Sequence, residues 1–103
     1  MLKSELLLVL NERLPKLSID QVESAVNCLL KQMVNALMVG EHIEVRGFGS
    51  FDLRHHAPRR ARNPKTGETV NLPARVTIHF KPGSELKERV NAVSHQYPIS
   101  VPN

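Results

Sequence analysis

Tryptophan is absent from the 103 residues, and the aromatics are three phenylalanines and one tyrosine. A core built on large rings is excluded, so whatever core exists must be aliphatic. Only one cysteine is present, Cys28. No disulfide can form within the chain, which suits a reducing compartment. Cys28 lies among Val26, Leu29 and Leu30 and is expected to be a small core residue. No apolar run approaches the ~18 residues of a membrane span, and no charged-then-apolar leader opens the chain, so neither spanning nor secretion is expected. No glycine-rich phosphate loop is present, and Ser50, Ser84 and the histidines form no recognisable nucleophile–base pair, so catalysis is not expected. His42, His55, His56 and His79 match no zinc-module spacing, and no metal or cofactor is expected.

What the chain does have is segregated charge. Between Arg54 and Lys81 stand Arg54, Arg59, Arg60, Arg62, Lys65, Arg75 and Lys81 against the single acid Glu68, a net of +6. The whole chain carries +4, so everything else carries −2. One strongly cationic segment on a slightly acidic body is the footprint of a polyanion-binding surface; the alternative is a merely solvated basic loop.

The apolar spacing predicts helices at both ends of a small β region. Ser4 is a candidate cap for a first helix from Glu5 to about Leu14, with Leu6, Leu7, Leu10 and Leu14 at helical spacing before Pro15. Ser18 and Gln21 read as a capping box for a long second helix ending at Gly40. Its stripe of Ile19, Val22, Val26, Leu29, Met33 and Leu37 is widened by Ala25, Leu30, Val34 and Met38. That is more than one face of so small a chain needs, and it points to packing against a partner subunit. A hairpin follows from His42 to His55, with Gly47-Phe48-Gly49 as its turn, then a strand from Arg75 to Phe80. Pro82-Gly83-Ser84 opens a closing helix with Leu86 and Val90 inward and a Glu85/Arg89 pair at i,i+4. The remaining tail, 94–103, is polar, contains two prolines, and is expected to fray.

The stretch 56–74 is basic, has few apolar side chains beyond Val70 and Leu72, and is centred on the turn signal Asn63-Pro64-Lys65-Thr66-Gly67. It cannot form its own core. It reads as a projecting two-stranded ribbon of about nine residues per strand, roughly 30 Å long. Such a ribbon is marginal in water until something binds it. Pro73 in the returning strand is expected to mark a bulge or break.

Three blocks carry a family resemblance: Gly47-Phe48-Gly49-Ser50-Phe51, Arg62-Asn63-Pro64-Lys65-Thr66-Gly67 and His79-Phe80-Lys81-Pro82-Gly83. In order and spacing they resemble the HU / integration host factor family, over residues 3 to about 91. Ile43-Glu44-Val45-Arg46-Gly47-Phe48-Gly49 and the block at His79 resemble the beta-subunit branch more than HU or the alpha branch. The resemblance implies an α+β fold: an intertwined dimer with an α-helical base, small antiparallel sheets and two long β-ribbon arms. It implies that the arms track the minor groove of double-stranded DNA and that a proline at each tip intercalates and kinks the duplex. Matched position by position, Pro64 is the wedge, and Arg60, Arg62, Asn63 and Lys65 are arm residues facing groove or phosphate. Arg59, Arg75 and Lys81 are further DNA-binding candidates in the cationic segment. Lys3 and Ser4 match a helix start that clamps phosphate. Arg46 matches a body-strand residue implicated in sequence preference, with Glu44 as its orienting partner, since two side chains two residues apart on a strand leave the same face. Arg60-Ala61 departs from the family, which often has a small polar residue and then glycine there.

The expected whole is a single DNA-binding domain over 1–93 with its arm at about 56–74, acting on nucleoid DNA in the cytoplasm without membrane attachment. It is expected to be no enzyme. Its second subunit is either an alpha-type partner or its own copy. The alternatives are an HU-like homodimer without sequence preference and an RNA-binding module.

Overall fold

A computed structural model describes residues 1–97, and these group into two compact units, Met1–Val39 and the described residues from Gly40 onward. The first unit is a helical hairpin of α1 (Lys3–Arg13) and α2 (Ile19–Met38). α1 starts earlier than the cap expectation. Leu2 is the extended N-cap, with no side-chain cap bond, so Ser4 lies inside the first turn and does not cap it. The inter-helix turn is held locally. The Leu17 amide donates to the Leu14 carbonyl at 3.0 Å, and Asn11 Nδ2 donates to the Leu17 carbonyl at 3.0 Å. The capping box at α2 forms as expected: the Gln21 amide donates to Ser18 Oγ, and the Ser18 amide donates to Gln21 Oε1. Gly40, with φ of +81°, follows the helix end in the left-handed conformation that only glycine adopts without strain.

The α2 stripe divides in two. Val22 is buried, and Val26, Met33 and Leu37 are half-buried. The row Leu30, Val34 and Met38, one helical turn between members, is open, with Met38 78% exposed. Leu8 of α1 and Leu29 of α2 are open too. Cys28 is exposed, not part of a core as its apolar neighbours suggested, because Leu29 and Leu30 are themselves uncovered in the single chain.

The second unit holds two antiparallel sheets. β1 (Ile43–Val45), β2 (Gly49–His56) and β5 (Arg75–Pro82) form a three-stranded sheet in the order β1-β2-β5. β3 (Arg59–Arg62) and β4 (Thr69–Leu72) form a separate two-stranded ribbon. α3 (Ser84–Ala92) follows β5. Phe80 packs against Phe51, its cross-strand partner, at 4.8 Å between ring centroids, and against Phe48 at 5.5 Å. Gly49 is required at this junction. A Cβ there would stand 2.6 Å from the Lys81 carbonyl oxygen and 2.7 Å from the Phe80 ring, a clash with both backbone and aromatic core. The Gly83 amide donates to the Phe48 carbonyl at 2.9 Å and ties the start of α3 to the β1–β2 turn. In α3, Leu86 is half-buried as expected but Val90 is 51% exposed. The Glu85/Arg89 ion pair is not formed among the described residues. Instead the Glu85 carboxylate lies beside Gly47, 3.1 Å from where a Cβ would be.

The arm differs from a continuous nine-residue ribbon. His56 pairs with Arg75 in one sheet and Arg59 with Leu72 in the other, leaving 57–58 and 73–74 outside both ladders. Pro58 and Pro73 stand in these opposed gaps, and neither has an amide to donate, so the ladder cannot run through. The break expected at Pro73 is therefore matched by a second at Pro58. Of the expected tail, 94–97 form a turn, and 98–103 lie outside the described residues.

Among the described residues only two hydrophobic side chains, Leu7 and Val22, are buried. That sets up a test at Val34. At a surface position, Val34→Asp should change stability by no more than about 0.5 kcal/mol. If a second subunit covers the row, it buries an unpaired carboxylate at a cost of roughly 3–5 kcal/mol. The expected outcome is loss of cooperative urea unfolding together with loss of the dimer by sedimentation at low micromolar concentration. A wild-type chain that sediments as a folded monomer would overturn it.

Candidate nucleic-acid interface

Strand alternation sorts the three-stranded sheet into two unlike faces. Cross-strand register puts Glu44, Ser50 and Lys81 in one row, Asp52 beside His79, Arg54 beside Thr77, and His56 beside Arg75, all on one face. The other face carries Ile43, Val45, Phe51, Leu53, Val76, Ile78 and Phe80. Val45, Val76 and Ile78 are open there, Ile78 at 63% exposed, while Ile43, Phe51, Leu53 and Phe80 are half-buried. The polar face is thus built by the same register that builds the apolar one. A slip of one residue would exchange them.

The ribbon is sorted in the same way. Arg60 pairs with Asn71 and Arg62 with Thr69, so both arginines share a polar face. Arg59 pairs with Leu72 and shares the opposite face with Ala61 and Val70. Arg59 is therefore separated from the two arginines beside which the sequence places it. At the tip the Gly67 amide donates to the Asn63 carbonyl at 2.7 Å, and the Asn63 amide to the Glu68 carbonyl at 2.8 Å. The Asn63 side chain also accepts from the Lys65 amide at 2.9 Å, an Asx turn that wraps Pro64. Pro64 and Lys65 are exposed at its crown. At the root of the ribbon, His55, His56, Arg59, Leu72, Pro73 and Arg75 line a cavity of about 520 Å³.

A groove of about 470 Å³ near the β1–β2 turn is lined by Glu44, Arg46, Lys81 and Lys87, among others. It joins three residues expected from sequence with one, Lys87, that was missed. Arg46, however, stands in the turn after β1 and not on the strand. The Phe48 amide closes that turn on the Val45 carbonyl at 2.9 Å. The alternation argument for a Glu44–Arg46 pair therefore fails, because the chain has left the strand before Arg46. Among the described residues Arg46 has no ion pair; Glu44 Oε2 lies 3.9 Å from His42 Nε2 instead. The other ring nitrogen of His42, Nδ1, bonds the Asp52 carboxylate across the strands. That hydrogen bond, opposed by desolvation and aided by the smaller effects of the Asp52 and Glu44 charges, holds the His42 pKa above the usual imidazole value. From sequence His42 is weighed only as a metal ligand and Asp52 is not singled out, although the β2 alternation Asp52, Arg54, His56 against Phe51, Leu53 shows the face on which Asp52 lies.

Lys3 and Ser4 stand exposed in the first turn of α1, in the helical unit. Lys3 Nζ donates to Asn27 Oδ1 of α2. No group of three or more metal-ligating side chains able to hold an ion occurs among the described residues, and no described helix is long and apolar enough to cross a membrane.

A family model described as bacterial DNA-binding protein matches residues 1–91. The chain is 54% identical to integration host factor subunit beta of Hahella chejuensis over 92 residues, which is 89% of this chain and 94% of that one. It is 52% identical to the same subunit of Thioalkalivibrio sulfidiphilus over 96 residues, 93% of this chain and 100% of that one. Among solved structures, HU of Anabaena in a cocrystal with DNA is similar at TM-score 0.78 and 31% identity, covering 87% of this chain and 97% of that one. A variant HU from Thermotoga maritima is similar at TM-score 0.63 and 28% identity, covering 87% and 99%.

The tip geometry predicts a local effect. Asn63→Ala removes the side-chain acceptor for the Lys65 amide while leaving Pro64 in place. One such bond is worth about 1 kcal/mol, so amide exchange at Lys65 and Gly67 should quicken by roughly fivefold. The global unfolding midpoint should not move, since the ribbon shares no ladder with the three-stranded sheet. A shifted midpoint would mean the tip is part of the folding core.

Proposed function

The chain belongs to the bacterial DNA-binding protein family, that of HU and integration host factor, and from this premise we propose how its surfaces act on DNA. It is an architectural DNA-binding protein and not an enzyme. HU and integration host factor are known members of the minor-groove class, whose apolar wedges unstack a base step and kink the duplex. In this chain the ribbon face of Arg60 and Arg62 follows the groove, with Asn63 and Lys65 at the tip and Pro64 as the wedge. Arg59 and Arg75 at the ribbon root, with Lys81, Lys3 and Ser4, meet phosphates. The observation that carries the reading is the ribbon itself: two arginines on one face, leading to a hydrogen-bonded tip that leaves a rigid proline exposed.

Both compact units act as one domain over 1–93. The open α2 row and the open apolar sheet face are covered by a second subunit, either an alpha-type partner, consistent with the beta-subunit relatives, or a second copy. The site of action is nucleoid DNA, in recombination, replication and transcription.

A second reading, an HU-like binder with little sequence preference, is favoured by one observation: no carboxylate orients Arg46. Arg46→Ala decides between them. If Arg46 reads sequence, the gap between the best and the random DNA sites narrows, on the order of tenfold for a groove contact worth 1–3 kcal/mol. If specific and random affinities drop together, Arg46 holds phosphate only.

The wedge is tested by Pro64→Ala. The variant keeps every cation, so the counterion-release contribution to binding stays. Unstacking costs a few kcal/mol per step, and without the ring little offsets it. Affinity for intact duplex should fall modestly while the bend falls sharply, read by energy transfer on a short end-labelled duplex at saturating protein. Nicked duplex, already unstacked, should restore the bend. An unchanged bend on intact DNA would reduce Pro64 to a turn residue.

A further inference from the structure

The His42, Glu44 and Asp52 cluster is absorbed by no part of the function described above. His42 immediately precedes β1, and its ring lies between two carboxylates, Asp52 at Nδ1 and Glu44 at Nε2. A charged imidazole has an N–H on both nitrogens and serves both acceptors. A neutral imidazole has one N–H and one lone pair, so it serves only one. Asp52 is the closer and directly bonded partner, and it keeps the N–H at Nδ1. The lone pair left at Nε2 then faces the Glu44 carboxylate and repels it.

Glu44 has few other cations to turn to. Lys81 shares its row but stands two strands away, roughly 9–10 Å at the usual strand spacing. Arg54 lies one row beyond Asp52 on β2, and His79 is the β5 partner of Asp52. Glu41 precedes His42 in the chain, Glu85 of α3 lies beside Gly47, and Lys87 lines the same groove as Glu44. The nearest cation in sequence is Arg46, in the turn two residues on, exposed and without an ion pair. We propose that His42 is a positioning residue that competes with Arg46 for the Glu44 carboxylate, so that the charge on one imidazole decides whether Arg46 meets DNA alone or braced by a carboxylate, and hence how selective the chain is among DNA sequences.

The sign follows from the geometry. With His42 charged, Glu44 is held away and Arg46 is a free cation that any phosphate satisfies, so binding is tight and indiscriminate. With His42 neutral, Glu44 pairs with Arg46, and the carboxylate fixes the guanidinium and penalises a bare phosphate nearby. Selectivity therefore rises with pH. The Asp52 hydrogen bond sets the crossover above the ordinary imidazole value.

This rests on Arg46 being the selectivity residue, and the test separates the two. In the full-length protein without DNA, the His42 ring is titrated by NMR. Arg46→Ala should raise its midpoint, because Glu44 then has no competing cation. In a Glu44→Gln background the same change should add nothing; an equal increment in both backgrounds means simple repulsion between the two cations and overturns the competition, whatever DNA does. The second readout is sequencing of a randomised duplex pool recovered at about pH 6 and about pH 8. Enrichment by the wild type should be roughly two- to fivefold sharper at the higher pH, the scale of an exposed ion pair. His42→Gln should be sharp at both pH values and His42→Lys diffuse at both. A pH-independent wild type, still blunted by Arg46→Ala, overturns the role of His42 alone. Enrichment indifferent to Arg46→Ala overturns the Arg46 reading, and the titration cycle still decides whether the competition exists.

Discussion

Burial of apolar surface is the constraint on which everything else depends. Folding a chain costs roughly 1–2 kcal/mol per residue in backbone entropy alone, and the offset comes mainly from burying apolar area. Among the described residues only Leu7 and Val22 are buried hydrophobics, while Leu30, Val34 and Met38 on α2 and Val76 and Ile78 on β5 stay open. Each unit is small, and small units bury a small fraction of their surface. The apolar side chains lie in ordered rows, one on a helix and one on a sheet face. Ordered rows of that kind are shaped to be covered, which is why the functional reading includes a second subunit as a structural requirement.

The same rows determine where the charge goes. In β2 and β5 every residue not committed to the apolar face lies on the opposite one, and that face collects Arg54, Arg75, Lys81 and three histidine or carboxylate positions. Covering the apolar face leaves the charged face as the outer one. On the proposed reading, dimer formation and DNA contact are thus two consequences of one alternation, and a mutation that shifts register would damage both. The ribbon repeats the device on a smaller scale with Arg60 and Arg62, but its opposite face has only Ala61, Val70, Leu72 and Arg59. It has too little apolar surface to anchor itself, so its order depends on turn hydrogen bonds and on whatever it binds.

Legibility from sequence followed the strength of the local signal. The Ser18–Gln21 box, the Gly40 stop and the strand alternation from Arg75 are short-range patterns with one physical outcome, and all three stand in the structure. The start of α1 was misplaced because Ser4 looks like a cap, whereas Leu2 takes the extended conformation and the helix begins beyond it. Cys28 was assigned to a core because its neighbours are apolar, but periodicity shows which residues share a stripe and not whether one chain covers it. The Glu44–Arg46 pair failed for a more instructive reason. Alternation holds only while the strand lasts, and β1 ends at Val45. The partner that does approach Glu44, His42, is tied by Asp52 ten residues away across a ladder, a contact that no local spacing shows.

The double break at the ribbon root gives these parts a mechanical relation. With Pro58 and Pro73 opposed and neither able to donate, the ribbon and the three-stranded sheet share no continuous ladder. A rigid arm would fix the distance between groove contact and body contact, and DNA would have to match it. Under the proposed reading, a jointed arm would let Arg60 and Arg62 settle in the groove first, through charge alone, at any bend the duplex already has. The joint is itself cationic, with Arg59 and Arg75 around its cavity, and on that reading it draws phosphate to the root. Bending energy would then be supplied in steps, by charge along the arm, by the ring at Pro64, and by the root, and no single contact would have to carry the whole deformation.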